Sequence, residues 1–194
     1  MTSAVRWFTC LPVGGLLLLR RAKLIAFPTA SRYLAFIPGS LGALWRGEWY
    51  ERTLESCGPG LYVDWMAVIK TPRTRIGKNV YVGEFCHVGW AEIGDDTLLG
   101  GHITVLSGRR HHRFERLDIP MARQGGELTL VKIGSDVWIG NGAIVMADVA
   151  PGSVVAAGAV VTKTFEPYAV LAGVPARLVR SRASGRDETV TEGA

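Results

Sequence analysis

Apolar residues recur every six positions over long stretches of this chain, a beat that fits neither the helical period nor the two-residue alternation of a strand. Ile133, Ile139 and Val145 form one triplet, and Val149, Val155 and Val161 form another. The same beat runs upstream through Ile76, Val82 and Val88, then through Ile93, Leu99 and Val105. Small residues follow many of these aliphatics, as in Ile76-Gly77, Val82-Gly83 and Ile139-Gly140. A short fixed period predicts a solenoid, in which three flat faces close a triangular coil and each face turns one aliphatic side chain inward. Stacked coils bury a column of Ile, Val and Leu while their backbones pair as parallel strands. Within a triplet the spacing is always six; it slips to five from Val88 to Ile93 and to four from Val145 to Val149, between coils.

Four coils are legible in this way. Upstream, Cys57 to Arg75 reads as a Gly- and Pro-punctuated approach, with Tyr62 to Ile69 as an irregular first turn of poor phase. The beat also stops across residues 107–132 and resumes at Ile133, which predicts a polar excursion leaving a rigid scaffold. Such loops are where chemistry concentrates. This one holds His111 and His112, with Arg109, Arg110, Arg113, Glu115, Arg116 and Asp118 around them.

The first fifty-seven residues lack the period. The apolar run Leu11 to Leu19, weakened by Pro12 and Gly14-Gly15, is too short to span a bilayer. Its basic cluster, Arg20-Arg21-Ala22-Lys23, follows the apolar part, the reverse of a cleaved signal. Pro28 to Leu54 predicts two short helices broken at Pro38-Gly39. They either cap one open end of the solenoid or lay a basic, Trp-bearing surface on anionic lipid. The expected organisation is thus a helical, basic segment over 1–57, the solenoid over 58–166 with loop 107–132, and a C-terminal segment with a disordered tail over 167–194.

Charge sharpens this division. The net charge is +5 over 194 residues, and residues 1–50 alone carry six bases against one acid, leaving the remainder balanced. A basic face along the main body is missing, so nucleic-acid binding is not expected. Cys10, Cys57 and Cys86 show neither a disulfide framework nor metal-ligand spacing, which points to a reducing compartment, the cytoplasm, with peripheral membrane contact through residues 1–50 as the anchor reading.

Three stretches carry a family resemblance: Asp136-Val137-Trp138-Ile139-Gly140, Ala157-Gly158-Ala159-Val160-Val161-Thr162-Lys163, and Ala172-Gly173-Val174-Pro175-Ala176-Arg177. Together they resemble the C-terminal signature of the hexapeptide-repeat acyltransferases, and among these the sugar and polysaccharide O-acetyltransferases, similar to the maltose, Nod-factor and colanic-acid enzymes. The resemblance implies a left-handed parallel β-helix, a homotrimer, and acetyl-CoA bound between subunits as acyl donor, with a sugar, glycan or glycolipid as acceptor. It implies a loop histidine as general base in a pattern of His, any residue, bulky apolar residue, acid. His112-Arg113-Phe114-Glu115 fits that pattern, with His111 the other candidate and Glu115 or Asp118 as orienting carboxylate. It further implies that Trp138, Asn141 and Gly142 line the pantetheine groove, that Ala157 and Gly158 lie near its amide arm, and that Lys163, Arg177 and Arg180 meet the phosphates.

The chemistry agrees with a base at that place. A sugar hydroxyl is a poor nucleophile while protonated, and a neutral imidazole can take its proton as the oxygen attacks a thioester carbonyl. Rival readings are N-acetylation of an amino sugar, O-acetylation of serine, a zinc site of γ-carbonic-anhydrase type, and a non-catalytic scaffold. A zinc site needs histidines presented from adjacent turns. His87 and His102 fall at different phases of the repeat, so no metal is expected.

Overall fold

The computed structural model describes residues 11–184. Residues 1–10, with Cys10, and residues 185–194 of the expected disordered tail lie outside the described residues. Three helices come first: α1 (Leu11–Arg21), α2 (Phe27–Ala35) and α3 (Gly39–Thr53). The solenoid then begins at Ser56, two residues earlier than its expected boundary. Its first turn is β1 (Ser56–Cys57), β2 (Tyr62–Val63) and β3 (Val68–Ile69); the second is β4 (Arg75–Ile76), β5 (Tyr81–Val82) and β6 (His87–Val88). The third is β7 (Ala91–Ile93), β8 (Leu98–Leu99) and β9 (Thr104–Val105), and the fourth is β10 (Val131–Ile133), β11 (Trp138–Ile139) and β12 (Ile144–Val145). The fifth has a single bridging residue, Val149, on its first face, then β13 (Val154–Val155) and β14 (Val160–Val161). A sixth turn contributes β15 (Ala169–Ala172), and β16 (Arg177–Ser181) folds back antiparallel on it.

The strands stack in register into three parallel sheets. On the second face Val63, Val82, Leu99, Ile139, Val155 and Leu171 lie directly above one another. On the third face Ile69, Val88, Val105, Val145 and Val161 do the same. All eleven side chains are buried. The first turn is therefore regular, not of poor phase. Cys57, Val63 and Ile69 keep the spacing of six, and Cys57 stands where the next three turns carry Ile. A thiol is a small hydrophobe in such a position. Similarly, the segment expected to follow the solenoid after residue 166 supplies its last strand, and the expected disorder fails at its start. Arg182 donates from its backbone to the Tyr168 carbonyl at 2.8 Å and from Nη1 to Asp136 Oδ2 at 3.3 Å.

Two of the three corners share one backbone device. Three residues before each inward aliphatic of the second face stands a left-handed residue: Gly60, Asn79, Asp96, Asp136, Gly152 and Tyr168. Three residues before each inward aliphatic of the third face stands another: Met66, Phe85, His102, Gly142 and Gly158. The glycines just after the aliphatics serve a different need. A Cβ on Gly83 would sit 2.6 Å from the Gly100 carbonyl carbon of the next coil, so close stacking requires its absence.

The helices close the N-terminal end. An exposed first coil would present unpaired backbone groups, and α3 meets them with side chains. Tyr50 Oη accepts from the Ile69 amide at 3.0 Å, and Arg46 Nε donates to the Val63 carbonyl at 2.9 Å. Arg46 Nη1 also donates to the carbonyls of Leu34 at 3.0 Å and Ile37 at 2.6 Å. Trp49, buried beside them, donates from Nε1 to Ser31 Oγ at 3.0 Å. Capping is thus a structural role of the helical segment. No helix among the described residues is long and apolar enough to cross a membrane.

Candidate active site

Residues 107–132 leave the solenoid at the corner after β9 and return as β10, and the coils above and below stay paired across them, Ala91–Ile93 with Val131–Ile133. The excursion is two arms tied by backbone bonds: the Thr129 amide to the Ser107 carbonyl at 2.9 Å, Glu127 to Arg110 at 2.8 Å, and Arg113 to Gly125 at 2.9 Å. At its base, the Trp90 amide donates to Ser107 Oγ at 2.8 Å. The arms hold His111 and His112 at the near end of the loop. His112 is exposed, whereas Nε2 of the half-buried His111 is shielded and lacks a partner among the described residues.

The carboxylates expected to orient them turn elsewhere. Glu115 Oε2 accepts from the Phe114 amide at 3.0 Å, and its own and the Phe114 backbone hold the carboxyl below the usual glutamate range. Asp118 Oδ1 accepts from Arg116 Nε at 2.9 Å, and that hydrogen bond keeps Asp118 ionised to lower pH than a free aspartate. Both groups are therefore acceptors tied to their own loop.

The second face and its following corner gather most of the other predicted residues. Trp138 projects outward from β11 between Leu98 and Val154, and more than half of it is exposed. Asn141 starts the corner, where its Oδ1 accepts from the Gly101 amide at 2.9 Å, bracing the coil below. Gly142 and Gly158, one coil apart, have φ of 72° and 69°, and Ala157 is exposed beside the second. A Cβ on Gly158 would meet nothing within 4 Å, and one on Gly142 only the Gly158 amide nitrogen at 4.0 Å. This stretch of the corner is an open slot lined by backbone. Arg177 and Arg180 stand exposed on β16, opposite Ala172 and Val170 at the top of the same sheet. Lys163 is separated from them: it follows β14, across the third face at the next corner, with its ammonium 5.3 Å from the Phe165 ring centre.

Sequence reasoning passed over His102. Its ring stacks on Phe85 with centroids 4.8 Å apart and planes at 12°, and Trp65 meets Phe85 edge-on at 5.3 Å. The signal was present in the repeat, since His102 holds the same phase as Gly142 and Gly158. His87 lies on the third face against Thr104 instead. No group of three metal-ligating side chains converges among the described residues. Burial pushes the thiols of Cys57 and Cys86 up to about 11, so both stay protonated near neutrality and neither is an activated nucleophile.

No family model matches the chain. In sequence it is similar to a chloramphenicol acetyltransferase from Agrobacterium fabrum, 32% identical over 119 residues, which cover 54% of this chain and 52% of that protein. It is similar to the same degree, 32% over 119 residues, to the galactoside O-acetyltransferase of Escherichia coli, covering 54% of this chain and 55% of that one. The chain thus spans about half the length of these relatives. In structure it resembles a maltose O-acetyltransferase from Clostridium difficile, with a TM-score of 0.71 at 23% identity over 80% of this chain and 84% of the other. A hexapeptide-repeat acetyltransferase from Vibrio cholerae, solved with acetyl-CoA, aligns with a TM-score of 0.57 at 22% identity over 78% of this chain and 87% of the other.

The chain is similar to hexapeptide-repeat acetyltransferases in fold, and to acetyltransferases over about half its length in sequence. Its solenoid is the left-handed parallel β-helix of that family, with a helical N-terminal segment and one long loop. The three stretches that carry the resemblance fall on β11, on the corner between β13 and β14, and on the β15–β16 hairpin.

Proposed function

We propose that the protein is an acetyl-CoA-dependent O-acetyltransferase acting on a hydroxyl of a sugar, polysaccharide or glycolipid precursor. The observation that carries this reading is the slot. Two successive coils place glycine at a corner position where the coils below carry bulky side chains, and this leaves bare backbone facing open space in the fourth and fifth coils, the fourth being the coil to which the histidine loop returns. A thin pantetheine arm suits such a slot, Trp138 offering an apolar wall and Arg177 and Arg180 offering cations to phosphates.

His112 is the base. Its exposure supports contact with an acceptor hydroxyl, and the pattern His112-Arg113-Phe114-Glu115 agrees with the family's. The imidazole takes the hydroxyl proton as the oxygen attacks the thioester carbonyl, and the imidazolium then protonates the departing thiolate. The assembly is a homotrimer. Lys163 of a neighbouring copy then joins the phosphate site, in keeping with its position one corner away from the slot in its own chain. The protein works at the cytoplasmic face of a membrane. Supporting this, Leu11, Leu18 and Tyr33 on the N-terminal helices and Leu24 and Phe36 just beyond them are exposed, and no acid precedes Glu48 in the chain.

The test is release of CoA thiol from acetyl-CoA with a panel of sugars, amino sugars, glycolipids and extracted polysaccharide, comparing wild type with His112→Ala. The expected result is release with one hydroxyl acceptor, reduced by at least about a hundredfold in the variant, with acetyl-CoA affinity retained. Transfer only to amino sugars would instead establish N-acetylation. Full turnover in His112→Ala would move the base to His111.

A further inference from the structure

Resting on the donor reading above, we propose that His102, seated on Phe85, is the floor of the acyl slot and sets the length of acyl chain that the protein accepts. The corner that precedes the third face is a ladder with one rung per coil, spaced by about 4.8 Å, the distance between paired strands. From the C-terminal end downward its rungs are Gly158, Gly142, His102, Phe85 and Met66. The first two leave space; the third is a ring. In the donor reading the phosphates lie near Arg177 and Arg180, the amide arm near Gly158 and the rest of the pantetheine near Gly142 and Trp138. The thioester end therefore points down the ladder, toward the coil of His102. From that same coil, at Ser107, departs the loop that carries His112.

The residue types are telling because the backbone makes them costly. A left-handed residue with a Cβ is disfavoured by roughly 1–2 kcal/mol, with Asn, Asp and His the commoner exceptions. The corresponding corner before the second face follows that preference with Gly60, Asn79, Asp96, Asp136 and Gly152. Its one bulky member, Tyr168, has a packing reason, since its ring covers Gly152. Before the third face, Met66 at φ 59°, Phe85 at φ 56° and His102 at φ 59° carry bulky side chains in three consecutive coils. Their rings lie parallel at 4.8 Å, so Phe85 fixes the plane of the imidazole from beneath. One coil above His102, at the same corner position, stands Gly142. An acetyl group ends above that ring, and a longer chain strikes it.

The experiment is calorimetric titration of CoA, acetyl-CoA, butyryl-CoA and hexanoyl-CoA into wild type and His102→Gly, which needs no acceptor. Glycine suits the left-handed backbone, so His102→Gly is expected to melt no lower than wild type. Wild type should bind butyryl-CoA at least tenfold more weakly than acetyl-CoA. His102→Gly should restore butyryl-CoA to within about threefold of acetyl-CoA and leave CoA itself unchanged, and adding Phe85→Gly should extend the gain to hexanoyl-CoA. CoA binding with the same acyl preference in wild type and variant would overturn the floor while leaving the donor reading intact. Wild type that binds neither CoA nor acetyl-CoA would overturn both.

Discussion

Glycine does two jobs in this molecule, and they differ in how much a methyl group would hurt. At Gly142 the φ of 72° disfavours a side chain, but the space around it is open. At Gly83 a Cβ would press at 2.6 Å on the carbonyl carbon and oxygen of Gly100, backbone that belongs to the next coil and is held by two sheets. Gly83→Ala is therefore expected to cost about 3 kcal/mol, the upper range for overpacking, and Gly142→Ala about 1 kcal/mol. Urea unfolding of the two variants checks the order, and equal losses would refute the distinction. The glycine pattern was legible in the sequence as a need for small residues after many of the aliphatics. The reason at Gly83 is the nearness of the neighbouring coil, which only the stacked structure displays.

At the level of elements, the solenoid was readable because its signal repeats, whereas the cap is built from single residues that do not. Cys57 hid the first coil, since a thiol breaks a run of Ile and Val without leaving their phase. In α1 the pair Gly14-Gly15 argued for a weak helix, yet a helix forms there with Val13 buried and Leu16 and Leu17 packed on the core. Packing outweighed propensity. Nothing in the sequence marks Arg46 as buried. Its guanidinium lies below the usual arginine range in basicity because burial disfavours the charge, with Asp64 opposing that shift, and it donates to three carbonyls at the closed end of the solenoid. Removing it leaves those acceptors dry. Arg46→Ala should cost about 3 kcal/mol, and Tyr50→Phe, which strips the Ile69 amide of its acceptor, about 1–2 kcal/mol. A denaturant midpoint unchanged in Arg46→Ala would show that α3 does not hold the cap. As for the candidate site, the broken beat marked the loop, and the resemblance alone named the groove residues. The left-handed ladder beneath them was not legible, because the six-residue beat records which side chains turn inward and says nothing of φ.

The whole molecule is polarised along its axis. One end is sealed by helices that are cationic and leave leucines exposed; the histidine loop lies partway along, and the cations of β16 sit at the far end. If the helical end rests on lipid, Leu18→Ser combined with Leu24→Ser should reduce co-sedimentation with vesicles of anionic phospholipid several-fold. The melting temperature should not fall, since both side chains are exposed. Retained sedimentation in the double variant would place the contact elsewhere, and binding to zwitterionic vesicles of equal strength would remove the role of charge.

The excursion at residues 107–132 enters and leaves at one corner, and the coils on either side of it are hydrogen-bonded as though it were absent. At the equivalent corner of the preceding coil, Gly89 and Trp90 suffice to make the same connection. The prism and its excursion are thus written in separate lengths of chain. A lineage could rewrite the residues between Gly108 and Leu130 and still inherit an intact prism.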